Sequence, residues 1–147
     1  MIGLIRISTV LIFFLNALPY QLHGQDAGPR DTGFKITLSR RAEFPPGFDA
    51  ELVTTSYYPC EGYRMRPTVS WDKDTISIDI GGFVRPSPCF KTMSQATGTA
   101  YLRDIGDGRY LLRIRYRGDE NLYRLRVAHG AIRFEPVIAT FTELISK

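Results

Sequence analysis

Five arginines stand close together in one stretch of the chain: Arg113, Arg115, Arg117, Arg124 and Arg126. Arginine presents a rigid fork of donors suited to carboxylate, phosphate or sulfate. The chemistry these residues offer is therefore recognition of an anion, not bond making. Acid–base equipment is thin by comparison. The sequence has two histidines, and one of them, His23, lies in an apolar leader. His129 stands beside Gly130 and reads as a turn residue. A hydrolytic triad needs a positioned histidine base, so no catalytic residue is assigned. No metal site is assigned either. Asp72 with Asp74, and Asp104 with Asp107, are acid pairs in turns, and neither continues into a calcium loop. No glycine-rich phosphate loop occurs, so no cofactor is expected.

The arginines alternate with apolar residues, and that alternation places them. Side chains along a strand point to opposite faces in turn. Tyr110, Leu112, Ile114 and Tyr116 share a face, with Arg109, Leu111, Arg113, Arg115 and Arg117 on the other. In the second arm Tyr123, Leu125 and Val127 oppose Leu122, Arg124 and Arg126. A fold at Gly118-Asp119-Glu120-Asn121 sets Tyr116 against Tyr123, Ile114 against Leu125 and Leu112 against Val127. The same register sets Arg115 beside Arg124 and Arg113 beside Arg126, where like charges oppose pairing. Two arrangements offset this. Carboxylates such as Asp72, Asp79 or Glu135 complete an ion-pair lattice, or an anionic partner supplies the charge, with Arg117 and Arg133 extending the patch. Arg117-Gly118-Asp119 also spells an adhesion tripeptide, but Gly-Asp is ordinary turn chemistry.

Length and leader bound the rest. The chain has 147 residues, enough for one domain. Residues 1–24 have the form of a secretory signal peptide, with Arg6 before an apolar run from Ile7 to Leu18, which is shorter than the ~20 residues of a spanning helix. Residues 25–33 read as a loose segment, and 34–147 as the folded domain. After cleavage no membrane span is expected, and the protein should be secreted or periplasmic. Removing Arg6 leaves 18 basic residues against 15 acidic, a net charge of +3, too mild to point to nucleic acid. Cys60 and Cys89 are expected to pair in an oxidising compartment, and a free thiol is the alternative.

Strand signals recur about every ten residues. They cover Phe34 to Arg41, Asp49 to Tyr58, Arg66 to Trp71, Thr75 to Ile80, Thr99 to Arg103, the arginine hairpin, Ala131 to Phe134 and Val137 to Thr142. Lys91 to Ala96 could instead form a helical turn, and the tail from Leu144 has no assignment. Tyr110, Ile114, Tyr116, Tyr123, Leu125, Ile76, Ile78 and Trp71 are the expected core. Tyr57, Tyr58 and Tyr63 are the aromatics expected at the surface. Eight or nine short strands without a long helix predict an all-β sandwich.

The run Leu102-x-x-Ile105-x-x-Gly108-x-Tyr110-x-Leu112-x-Ile114 resembles the corner and penultimate strand of immunoglobulin-like and fibronectin-type-III-like domains. The resemblance implies an antiparallel sandwich in which the Tyr110 hydroxyl bonds nearby backbone. No cysteine follows Tyr110 by two residues, as it would in an antibody domain; Leu112 stands there. The functional expectation is a non-catalytic sandwich module that binds an anionic glycan or an acidic protein through its arginine face. The alternative is an accessory subunit of an envelope or secreted complex. The sequence leaves the oligomeric state open.

Overall fold

A computed structural model describes residues 32–41 and 46–147. The signal peptide and most of the loose segment expected after it lie outside the described residues. Nine strands follow in chain order: β1 Phe34–Arg41, β2 Gly47–Tyr58, β3 Arg64–Asp72, β4 Thr75–Val84, β5 Ser94–Arg103, β6 Gly108–Tyr116, β7 Asp119–Ala128, β8 Ala131–Ile138 and β9 Thr142–Ser146. Lys91 to Ala96 makes no helical turn, and Ser94 onward is strand. The unassigned tail forms β9, parallel to β1 with Ile36 opposite Leu144.

All nine strands join one sheet in the order β8-β7-β6-β4-β3-β5-β2-β1-β9. The sheet closes almost completely on itself, so the chain is a barrel and not a sandwich. The immunoglobulin-like expectation fails here. The two edge strands, β8 and β9, are consecutive in the chain and joined only by residues 139–141. That short link holds the edges together at one end. At the other end the Arg40 guanidinium of β1 packs over Gly130, in the turn between β7 and β8. Sandwich and barrel both bury alternate residues, so strand periodicity alone does not separate them. Sheet edges invite misassociation, and near-closure brings these two together without a ladder between them.

Side chains from β7 complete the closure. Asn121 is fully buried. Its amide donates to Glu120 O and Thr140 Oγ1, at 3.2 and 2.9 Å. Its carbonyl oxygen accepts from Phe141 N–H at 3.1 Å and from the Thr142 hydroxyl at 2.7 Å. The Tyr123 hydroxyl donates to Thr142 O at 2.7 Å. Every polar atom of the Asn121 side chain is thereby satisfied.

The interior holds Ile36, Leu38, Leu52, Ile76, Ile78, Leu112, Ile114 and Leu125. By strand direction, the turns after β2, β4, β6 and β8 lie at one end of the barrel. That end is plugged by aromatic rings, with Phe34 against Tyr116 at 4.8 Å and Tyr58 against Phe83 at 5.2 Å. Cys60 and Cys89 are bonded there, with Cα atoms 5.3 Å apart. The turns after β1, β3, β5 and β7 lie at the opposite end.

The hairpin keeps the expected faces but not the expected partners. Arg117 and Gly118 are its two turn residues, both left-handed with φ of 53° and 92°. Two left-handed residues make the mirror-image turn that suits the twist of a hairpin, and glycine fits its second position. Asp119 and Glu120 therefore start β7. The register moves by four residues, an even number, so each face is preserved. Leu112 meets Tyr123, Arg115 meets Glu120 and Arg113 meets Leu122.

Candidate functional site

The wall of the barrel is incomplete between β3 and β5. These parallel strands make one bridge, Arg64 with Thr97. Pro67, which has no N–H to donate, stands just beyond it. Gly98 admits the close approach there, since a Cβ at that position would lie 2.9 Å from Met65 Cβ. Past this point the two strands share no ladder, and a seam opens toward the end that carries the β3–β4 and β5–β6 turns. The connection from β5 to β6 crosses the tip of the β3–β4 hairpin, where Leu111 N–H donates to Asp74 O at 2.9 Å. This crossing brings Asp104 and Tyr110 to the seam.

A cleft of about 540 Å³ results, lined by Val69, Trp71, Lys73, Tyr101, Arg103, Asp104 and Tyr110. Trp71 is 42% exposed and Tyr101 47%. Trp71 belongs to the inward parity of β3 and was expected in the core. The seam corrects that expectation, because β3 and β5 share no ladder at this height and Trp71 lines the opening. Tyr110, also expected in the core, is half-buried and meets Trp71 edge to face at 6.1 Å. The Tyr110 hydroxyl donates to Gly106 O at 3.1 Å, fixing its ring. That local bond to backbone occurs within a barrel, so it does not identify a sandwich. On the other wall the Arg41 guanidinium lies 4.8 Å from the Tyr101 ring centre. Arg41 Nε is also 3.3 Å from Asp49 Oδ1. Tyr101 is thus backed by Arg41 and still about half exposed.

The arginine hairpin faces outward on another part of the wall. Arg115 grips Asp79 with two contacts, of 2.6 and 2.7 Å, and this pairing raises its own pKa. Arg113 Nε lies 3.0 Å from Glu120 Oε2, close enough for an ion pair but without the alignment of a hydrogen bond. Arg124 reaches Glu135 at 3.7 Å. Arg117 projects at the hairpin tip, 5.4 Å from the Tyr116 ring centre. Arg126 lies in register with Arg109 on β6 and Arg133 on β8. Among the described residues, no carboxylate lies within ion-pair distance of these three. The expected oppositions of Arg115 with Arg124 and Arg113 with Arg126 do not form. The expectation of an arginine-faced sandwich module falls with its fold, and three of its five arginines are answered by carboxylates of the same wall.

Comparison with known proteins adds no relative. No family model, curated protein or solved structure matches the chain.

Sequence reasoning missed Trp71 and Tyr101 as surface groups. Of the three tyrosines expected at the surface, Tyr57 is exposed at 60%, while Tyr58 and Tyr63 are buried in the aromatic plug. His129 occupies a left-handed turn position with φ of 52°, and its N–H donates to Asp107 Oδ2 at 3.1 Å. Among the described residues, no group of three metal-ligating side chains converges. Pro67 inside a strand pattern was the available signal for a broken ladder.

Proposed function

We propose that the protein is a small-ligand-binding β-barrel whose site is the β3–β5 seam, and that its ligand is a saccharide. One observation carries this reading: two exposed aromatic rings, Trp71 of β3 and Tyr101 of β5, line one cleft. Large aromatic side chains normally contribute their area to cores and interfaces. A concave site with apolar walls and a few polar groups is the usual form of a ligand pocket. A sugar ring offers flat C–H faces to the aromatics and hydroxyls to the rim. Lys73 and Arg103 can donate to those hydroxyls, and Asp104 can accept from them. The reading is of binding without turnover. Export to an oxidising compartment, secreted or periplasmic, belongs to the same reading, and the Cys60–Cys89 disulfide supports it.

Trp71 is the single tryptophan of the sequence, so its emission reports on the cleft alone. Titration with a panel of neutral and acidic oligosaccharides should shift or quench it saturably. Trp71→Phe and Tyr101→Ala should each weaken binding, measured by calorimetry, by about tenfold or more, as loss of a central aromatic contact does. Arg117→Gln, at the opposite end of the barrel, should leave affinity unchanged. An unresponsive Trp71 across the panel, or full affinity in both aromatic variants, would overturn the proposal.

A further inference from the structure

The three most exposed large apolar side chains among the described residues are Phe90 at 66%, Met93 at 61% and Tyr57 at 60%. All three stand at the disulfide end of the barrel. Tyr57 pairs with Gln95 across β2 and β5, and Met93 leads directly into β5. Phe90 adjoins Cys89 in the connection from β4. Its carbonyl accepts from Glu61 N–H at 3.3 Å and from Thr92 N–H at 2.7 Å. The backbone of Phe90 is thus tied down by two hydrogen bonds and the adjacent disulfide, while its ring projects outward. An exposed apolar residue that stands alone needs no explanation, but a cluster on an anchored connection does.

The charges around the cluster have one dominant sign. Arg64, Arg66, Arg85 and Lys91 are exposed, and Glu61 is the only acid between residues 57 and 66 or between 84 and 93. None of the four cations takes part in an ion pair among the described residues. Apolar tips ringed by cations match a bilayer surface in two ways. The rings enter the acyl boundary, and the arginine and lysine heads stay among anionic headgroups. Tyrosine is also at home at that interface. Phe90 and Met93 stand on the connection between β4 and β5, and Tyr57 near the end of β2.

We propose that the disulfide end of the barrel docks on a membrane surface that carries anionic lipid. Phe90 and Met93 enter the interface, and Arg64, Arg66, Arg85 and Lys91 contact the headgroups. The opposite end, with the saccharide cleft, is left facing solvent.

Methionine oxidation tests this locally. Met93 is exposed, whereas Met65 is 4% exposed and serves as the internal control. The full chain is treated with dilute peroxide alone, with phosphatidylcholine vesicles, and with vesicles that also contain phosphatidylserine. Peptide mass spectrometry then gives the oxidation rate at each methionine. Phosphatidylserine vesicles should slow oxidation of Met93 by about threefold or more, and raising salt to about 0.5 M should remove the protection. An Arg85→Gln, Lys91→Gln double variant should lose most of it, with Met65 still resistant. An unchanged Met93 rate on phosphatidylserine vesicles, in protein whose Met65 stays resistant, would overturn membrane docking and leave a protein surface as the occupant. Equal protection by both vesicle types would overturn the role of the cations.

Discussion

Tyr116 is 5% exposed, and its hydroxyl has no hydrogen-bond partner among the described residues. Burial pushes its phenol above the ordinary value, while Arg117 pulls slightly the other way. Burial likewise raises Tyr58, against opposing pulls from the Thr32 side chain and Arg117. The consequence appears in alkali. The unfolded chain loses phenolic protons from about pH 10 upward, while the folded protein still holds them. Above that pH the unfolded state binds fewer protons, so stability falls as pH rises through the raised folded values. Tyr116→Phe removes one such group and leaves no partner unsatisfied. It should be neutral or stabilise by up to about 1 kcal/mol at pH 7, and should reduce the alkaline loss. Urea unfolding at pH 7 and pH 11 measures both effects. A loss above about 2 kcal/mol at pH 7 would mean that the hydroxyl has a partner. Burial of Tyr116 was legible from its parity. The exposure of Trp71 was not, because it depends on where the ladder between β3 and β5 stops.

At the scale of elements, the sequence carried the faces of the strands better than their partners. Alternation is local and survives any even shift of register, which is why Tyr123 and Leu125 fall inside although their expected partners were wrong. The register depended on one choice, Arg117-Gly118 as the turn in place of Asp119-Glu120. His129-Gly130 repeats the same chemistry, both residues left-handed, with φ of 52° and 73°. The corrected register makes a prediction about charge. Arg126 has Arg109 opposite on one side and Arg133 on the other. Like charges directly opposite cost a few tenths to about 1 kcal/mol per pair, and opposite charges contribute similarly. Arg126→Glu converts two repulsions to attractions and should stabilise the barrel by about 0.5–2 kcal/mol at low salt. Arg115→Glu should do the reverse, because it breaks the two-contact pair with Asp79 and faces Glu120. Thermal unfolding of both variants at low and high salt separates the outcomes. If Arg126→Glu destabilises at low salt, the arginine row is held by something other than these strands.

The closed barrel is the feature least visible in the sequence. It depends on parallel pairings between strands distant in the chain, β1 with β9 and β4 with β6, and no local periodicity encodes them. It also depends on Asn121, which interrupts the apolar parity of β7 and looks like part of a turn. In the barrel its side chain makes four hydrogen bonds, three of which join β7 to the link and the start of β9. Asn121→Ala removes all four and leaves the Phe141 N–H and the Thr142 hydroxyl without that acceptor inside the protein. Each buried group left unpaired costs about 1–3 kcal/mol, so the substitution should cost about 3–5 kcal/mol in urea unfolding. The damage should also be local. Among the described residues β9 shares a ladder only with β1, so its amides should lose hydrogen-exchange protection well before those of β3 and β4. Thr142→Val removes one partner of the same network, and the double variant should cost less than the two single losses added. A cost below about 1 kcal/mol with β9 protection unchanged would show that the three-residue link and the β1–β9 ladder close the barrel without Asn121.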